Sequence, residues 1–465
     1  MEPENSTIRS TVHTNNRVAV LVAASVAAFF TAFNASALNV ALPTINQEFQ
    51  ADAILLTWVV TVFGLAIAVL SVPFGRVADI YGIKRLFLYG TSIFTVMAIV
   101  AVFSTSIIML IICRAIQGIG CAMVIVTAVA MLTAAYPASE RGKVLGVNMA
   151  CVYIGTTVGP VLGGVLTEYF GWRSIFLFGL PLCLLTIGLL MFRIQGETSN
   201  SRGEKFDLTG SMVFGLALIA LIYGFSLLPD IPGAVLTLAG ILGLVAFVKL
   251  ENKTASPILD IGIFRKNKVL LFANAAGLIN FCATFAITFL MSLYLQYIKQ
   301  MSPEQTGLIL VVGPIFQAVF SPISGKLSDK LEPRIVATAG MILSLVGIIC
   351  FIFVAENTPV FQVLIILAVV GTGMGLFGSP NANAVMSSVT PKYYGVAAAL
   401  MGTIRGVGHT LSLGIVMIVM ALIIGRVAIS PDYYPALLSS IKVTFIVFSV
   451  LCFGGIFASL YKDKD

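Results

Sequence analysis

The stretch Gly75-Arg76-Val77-Ala78-Asp79-Ile80-Tyr81-Gly82-Ile83-Lys84-Arg85 separates two apolar runs, near 54–74 and 86–104. Each run has the length needed to cross a bilayer, about 20 residues. A shorter copy, Gly325-Lys326-Leu327-Ser328-Asp329, follows another apolar run near 305–325. In this second copy Glu332-Pro333-Arg334 replaces the glycine-containing end. Gly118, Gly120 and Gly142 are likewise matched by Gly371, Gly373 and Gly395 at almost the same separation. Such parallel repeats are one way to build a central cavity reached alternately from either side.

Working outward, further apolar runs lie near 17–43, 107–135, 143–168, 172–193, 208–228, 233–250, 268–298, 335–355, 360–386, 394–424 and 438–461. With the three already named, they predict an all-α polytopic membrane protein of about fourteen spans. The composition agrees, with 58% hydrophobic and only 10% charged residues, whereas soluble domains carry roughly 25% charged residues. The expected organisation is a cytoplasmic tail over 1–16, a six-helix bundle over 17–193 and a linker with two additional helices over 194–267. A second six-helix bundle over 268–461 and a short tail over 462–465 complete it. The polar stretch 195–205 reads as a flexible link. The segment 251–268, with an apolar stripe before Arg265, Lys266 and Lys268, reads as a helix lying on the membrane surface. The first apolar run is too long for a cleaved signal peptide and stays as the first span.

Most of the 27 basic residues fall in alternate connections. Arg173, Lys299, Arg426 and Lys442 fall in the others, and Arg114 and Arg405 lie within spans. This asymmetry puts both termini in the cytoplasm and requires an even number of spans. A formal charge of +7 could suggest nucleic acid, but the basic residues form no patch or repeat; no nucleic-acid partner is expected. The seven cysteines all sit inside apolar runs and read as small packing residues.

Four strings carry a family resemblance. The first is Gly75 to Arg85, read as the loop between two spans and similar to G-x-x-x-D-x-x-G-x-[RK]-[RK]. The second is Arg114-Ala115-Ile116-Gln117-Gly118-Ile119-Gly120-Cys121-Ala122, similar to R-x-x-x-G-x-G-x-A. The third runs through Gly146, Gly155, Gly159, Pro160, Gly163 and Gly164 and fits G-x8-G-x3-G-P-x2-G-G. The fourth, Phe33 to Pro43, ends in Asn39-Val40-Ala41-Leu42-Pro43 and resembles L-D-x-T-x-x-N-V-A-L-P. Together they resemble the major facilitator superfamily, and within it the fourteen-span drug:proton antiporter (EmrB/QacA-like) family. The resemblance implies the major facilitator fold, two six-helix bundles plus a central pair. It implies a cytoplasmic gate built on Gly75, Asp79, Gly82, Lys84 and Arg85, with Asp329 in the second copy. It links Arg114 to proton transfer, and the glycine string to antiporters as opposed to importers. Glycines spaced by four let a neighbouring helix approach closely.

One departure bears on coupling. Asn34 stands where the family usually has aspartate and cannot titrate. No acidic residue falls in the middle of a span. His409 remains as a titratable group, four residues after Arg405 on the same helix face. Two readings stay open for each polar cluster. Arg114 and Gln117 either transfer protons or bond carbonyls of the first span. His409 either carries protons or is a neutral side chain satisfied by a neighbouring helix. Asn39, Thr61, Asn148, Tyr153, Asn274, Asn280, Gln317, Asn381 and Asn383 are further polar residues within spans. Asn381 and Asn383 follow Pro380, where a broken helix would expose carbonyls.

The expected function is a secondary transporter that exports small amphiphilic molecules in exchange for protons, as a monomer in the plasma membrane and without a cofactor. Lacking a central carboxylate, its cavity suits neutral or anionic amphiphiles better than dications. The alternative is a carrier for an organic anion or metabolite with atypical or no proton coupling. With two histidines, no metal-ligand cluster and no paired carboxylates within spans, catalysis is not expected.

Overall fold

The computed structural model describes residues 14–194, 196, 207–252, 254, 267–328, 330–389, 394–425 and 427–461. Residues 1–13, 195, 197–206, 253, 255–266, Asp329, 390–393, Arg426 and 462–465 lie outside them, so the tails, the link, the surface helix and the second gate aspartate are not described. Of Asp79 only the backbone is described.

Among the described residues, fourteen helices are long and apolar enough to cross a membrane. They are α1 (Thr14–Phe49), α2 (Ala53–Tyr81), α3 (Ile83–Val102), α4 (Ile107–Ala135), α5 (Ala138–Phe170), α6 (Ser174–Arg193), α7 (Leu208–Leu227) and α8 (Ile231–Glu251). They continue as α9 (Lys268–Ile298), α10 (Pro303–Ser328), α11 (Pro333–Ile352), α12 (Val360–Ser387), α13 (Tyr394–Ile423) and α14 (Pro431–Ser459). The even number returns the chain to the face on which it starts, called here the terminal face; the other is the far face. Among the described residues there is no strand, only an isolated bridge between Asp52 and Ala428 at the far face.

The helices outrun the apolar runs. Helix α1 continues through Pro43 to Phe49, and α2 carries Gly75 to Tyr81 as helix. The motif between α2 and α3 is therefore not a loop. The whole turn is Gly82, whose φ of 120° is open to glycine and strained for other residues. Its N–H donates to the Ala78 carbonyl. Gly75 sits mid-helix with open space around it. Helix α12 also runs unbroken past Pro380, contrary to the expected break, and Asn383 donates to the Ser328 hydroxyl of α10.

The duplication is visible where helices cross. A Cβ on Gly90 of α3 would lie 2.7 Å from the Gly120 carbonyl of α4, and one on Gly340 of α11 would lie 2.7 Å from the Gly373 carbonyl of α12. Gly118 meets the Phe63 carbonyl of α2 as Gly371 meets Gly313 of α10. Gly155 of α5 meets Phe29 and Phe33 of α1 as Gly408 of α13 meets Leu278 and Cys282 of α9. These crossings put the two halves in register, residue by residue.

Helices α7 and α8 cross closely at Gly224, Gly233 and Gly240. Helix α7 lies over the seam between α2 and α13. Gly215 meets Val69 of α2, and Phe225 and Ile222 meet Gly414 of α13. Leu65, Ala68, Val69, Leu218 and Ile222 form one small apolar cluster there.

A polar clasp ties the first half together at the far face. Arg173 makes a two-pronged bond to Glu48 at 2.6 and 2.7 Å and donates to the Val102 and Ser104 carbonyls. The buried Trp172 indole donates to the same Glu48. Glu48 holds the Arg173 pKa above its usual value, so the guanidinium stays charged throughout the physiological range. Both charges are partly exposed, so Arg173→Ala is expected to lower stability in detergent by about 1 kcal/mol. Transport should be little changed. Thermal unfolding and a transport assay on the same preparation check this.

Candidate functional site

The halves meet at the far face. Asn46 of α1 donates to the Tyr297 hydroxyl of α9 at 2.7 Å. Ser292 and Gln296 of α9 donate to the Asn39 and Val40 carbonyls, each at 2.7 Å. Tyr169 of α5 bonds Glu304 of α10. The Ala53 amide of α2 donates to the Val427 carbonyl beyond α13.

The glycine string of α5 takes part in this seal with two faces. Gly155, Gly159 and Gly163 pack on Phe29, Ser36 and Ala37 of α1. Gly164 packs on the Pro303 carbonyl of α10, while the Pro160 carbonyl touches Gly307 so closely that no Cβ fits there. A Cβ on Gly146, nearer the terminal face, would meet no other element within 4 Å. Tyr153 and Ile154 of α5 and Ile315, Val319 and Ile323 of α10 are exposed. The halves thus close over the far end on this side and part below it.

Two cationic clusters flank α2 inside this arrangement. In the first half Arg114 is fully buried. Its Nη1 donates to Asn34 Oδ1 at 2.5 Å and to Gln117 Oε1 at 2.9 Å, and its Nε donates to the Val59 carbonyl at 3.4 Å. Its guanidinium lies 3.9 Å from the Phe63 ring centroid. Arg114, Gln117 and Asn34 therefore do come together, across α4 and α1. The carbonyl that Arg114 bonds belongs to α2, not to the first span. An arginine in the bilayer core is costly, about 2.5–3.5 kcal/mol on insertion scales; here amide oxygens, a carbonyl and a ring face replace water.

The second cluster lies on α13. This helix turns Gly408 and the Ser412 hydroxyl toward α9, Gly406 and Thr410 toward α2, and Gly414 toward α7. What remains is the inward face, opposite α7, bearing Gly402, Arg405 and His409. A Cβ on Gly402 would meet no other element within 4 Å, and Arg405 is exposed. Farther up the same face, toward the far end, Val416 is buried. His409 stacks on Phe285 at 3.9 Å between centroids and meets the edge of Phe281 at 5.7 Å. Arg405 lies 5.5 Å from the Phe281 centroid. No carboxylate pairs with Arg405 or Arg114 among the described residues. All described acidic side chains sit at helix ends or in connections.

The register of the halves exposes an asymmetry. The second-half counterparts of Asn34, Arg114 and Gln117 are Ala283, Leu367 and Val370, all buried. The first-half counterparts of Arg405 and His409 are Val152 and Thr156. Each half carries one cationic cluster, placed on non-equivalent helices.

Sequence reasoning missed Val59, Phe63, Phe281, Phe285 and Gly307. The four-residue spacing of Phe281 and Phe285 is a helix-face signal that could have been read. Nothing in the sequence marks Gly307. The structure gives Gly75 to Arg85 a one-residue turn at Gly82 between two helices.

Residues 24–413 match the Major Facilitator Superfamily. The multidrug resistance protein Stp of Mycobacterium tuberculosis (strain CDC 1551 / Oshkosh) is 33% identical over 86% of this chain and 75% of its own. The cephamycin export protein CmcT of Amycolatopsis lactamdurans is 30% identical over 88% and 86%. The riboflavin transporter RibZ of Clostridioides difficile (strain 630) is 28% identical over 84% and 86%. Among solved structures, the peptide transporter POT in complex with sulfate superposes with a TM-score of 0.70 over 97% of this chain and 98% of its own, at 12% identity. Fold, coverage and motifs agree: the chain is a transporter of the Major Facilitator Superfamily, in its fourteen-span drug-efflux branch.

Proposed function

We propose that this transporter exports small amphiphilic molecules across the plasma membrane by alternating access, as a monomer with both termini in the cytoplasm, in exchange for protons. The observation that carries the reading is the one-ended closure of two register-matched halves. They seal at the far face through α1, α5, α9 and α10, and α5 and α10 part toward the terminal face. Opening that seal while closing the other end would move a solute across. Relatives named for multidrug resistance and export support the outward direction.

His409 is the proposed proton carrier, since it is the titratable side chain that α13 turns inward, and Arg114 with Gln117, buried in the first half, is the second proposed coupling group. The proposed gate comprises Gly75, Asp79, Gly82, Lys84 and Arg85, with Gly82 as hinge, and Asp329 in the second copy. A second reading, an organic anion or metabolite carrier with atypical or no proton coupling, draws on the inward-facing Arg405 and on the relative named for riboflavin transport.

Proton release from everted vesicles on adding substrate separates the two. The expected outcome is substrate-dependent proton movement in the wild type that is lost in His409→Gln. Asn34→Asp would set a carboxylate against Arg114 and cancel its charge. It should raise the share of cationic substrates carried by roughly tenfold, the size of one charge-assisted contact. Export without proton movement would leave the uncoupled carrier; no change in either variant would remove both assigned roles.

A further inference from the structure

We infer that Arg405, with Phe281, Phe285 and His409 beneath it, is the docking point for aromatic organic anions, a planar ring system bearing a carboxylate or sulfonate. This deepens the export reading and rests on it.

The two cations of the interior are not equivalent as ligands. Arg114 is committed: it is fully buried, donates to Asn34, Gln117 and Val59, and lies against Phe63. Arg405 is exposed on the inward face of α13 and has no ion pair among the described residues. A guanidinium placed within a membrane span and left to a cavity favours an anion, because its planar fork matches a carboxylate or sulfonate with two parallel bonds. The apolar side of the site is equally specific. His409 stacks on Phe285 and meets Phe281 edge-on, so Phe281, Phe285 and His409 form one continuous aromatic step directly beside the charge. Aromatic faces favour flat, offset partners. Gly402, one turn toward the terminal face, leaves open space for the body of the ligand. The first half offers only Val152 and Thr156 at the matching positions, so an anion docks on one side of the cavity alone.

The test compares two probes that share one aromatic body: 8-anilinonaphthalene-1-sulfonate, an anion, and N-phenyl-1-naphthylamine, which is neutral. Binding is followed by fluorescence with the full chain in nanodiscs, corrected against empty nanodiscs. Arg405→Gln is expected to weaken the sulfonate about tenfold or more, the size of a lost charge-assisted contact. The neutral probe should change less than about twofold, which also reports that the variant is folded. Gly402→Asp puts a carboxylate into the open space and should weaken the sulfonate selectively in the same way; it decides the matter should Arg405→Gln not fold. Equal loss of both probes, or no loss of either, overturns the assignment. Transport of the same probes in everted vesicles separates this inference from the one beneath it. Both probes carried, with sulfonate binding indifferent to Arg405, removes the docking site alone. Arg405-dependent binding with neither probe carried removes the export reading alone.

Discussion

Gly307→Ala should hold the transporter open at the far face. A Cβ at this position has nowhere to go, since the Pro160 carbonyl already occupies the space and Val161 Cα lies 3.2 Å away. Both obstacles are backbone, so no rotamer change relieves them; α5 and α10 must separate. Overpacking of this kind costs about 1–3 kcal/mol, and it falls only on the state in which the far face is closed. A bias of 1–3 kcal/mol between two states is roughly 5- to 150-fold in their ratio. Spin labels on the far ends of α5 and α10 should report a larger separation than in the wild type, and transport should fall by about tenfold or more. The substitution leaves the interior untouched, so ligand binding measured without transport should persist. Unchanged label distances would show that this contact does not hold the seal.

The second large effect concerns Arg114. Arg114→Leu leaves Asn34 Oδ1 and Gln117 Oε1 without their donor in a buried setting, at about 1–3 kcal/mol for each group left unsatisfied. Such a variant should unfold in detergent well below the wild type and transport nothing. That alone does not separate support from function, but the second half supplies the control. Its counterparts are Ala283, Leu367 and Val370, a packed apolar version of the same place. The triple variant Asn34→Ala, Arg114→Leu, Gln117→Val copies it. Removing all partners of a buried polar network together is close to neutral for stability. The triple variant should therefore regain most of the thermal stability lost by Arg114→Leu while remaining inactive. Recovery of both stability and transport would make the cluster scaffolding only.

How much of this was legible beforehand depends on the kind of signal. The fourteen spans were, because a bilayer imposes length and apolarity on every crossing helix. Their ends were not: α1 runs on to Phe49 because Asn46 and Glu48, polar and so unlike a span, serve the far-face contacts. The repeat was readable from Gly118 and Gly120, since glycine is kept where carbonyls of a crossing helix leave no room. Arg114 and Gln117 were identifiable as partners from their spacing. Asn34 joined them only through its place in a recognisable string, because contact between α1 and α4 is long-range. The loop expected over Gly75 to Arg85 failed because polarity was read as irregular backbone, whereas the helices here continue past the apolar runs and carry the charged residues. The break expected at Pro380 failed for a related reason, since a proline in an apolar span need not interrupt it. The inward turn of Arg405 and His409 required knowing which neighbours α13 has on its other faces.

The placement of α7 has a consequence for molecules that partition into lipid. On one flank the α2·α13 boundary is roofed by the α7–α8 hairpin; on the opposite flank α5 and α10 diverge below Pro160 and Gly307, with oily side chains facing out. A solute dissolved in the nearer leaflet therefore meets the widening between α5 and α10, on the flank away from the hairpin, while α7 covers the packed boundary of α2 and α13.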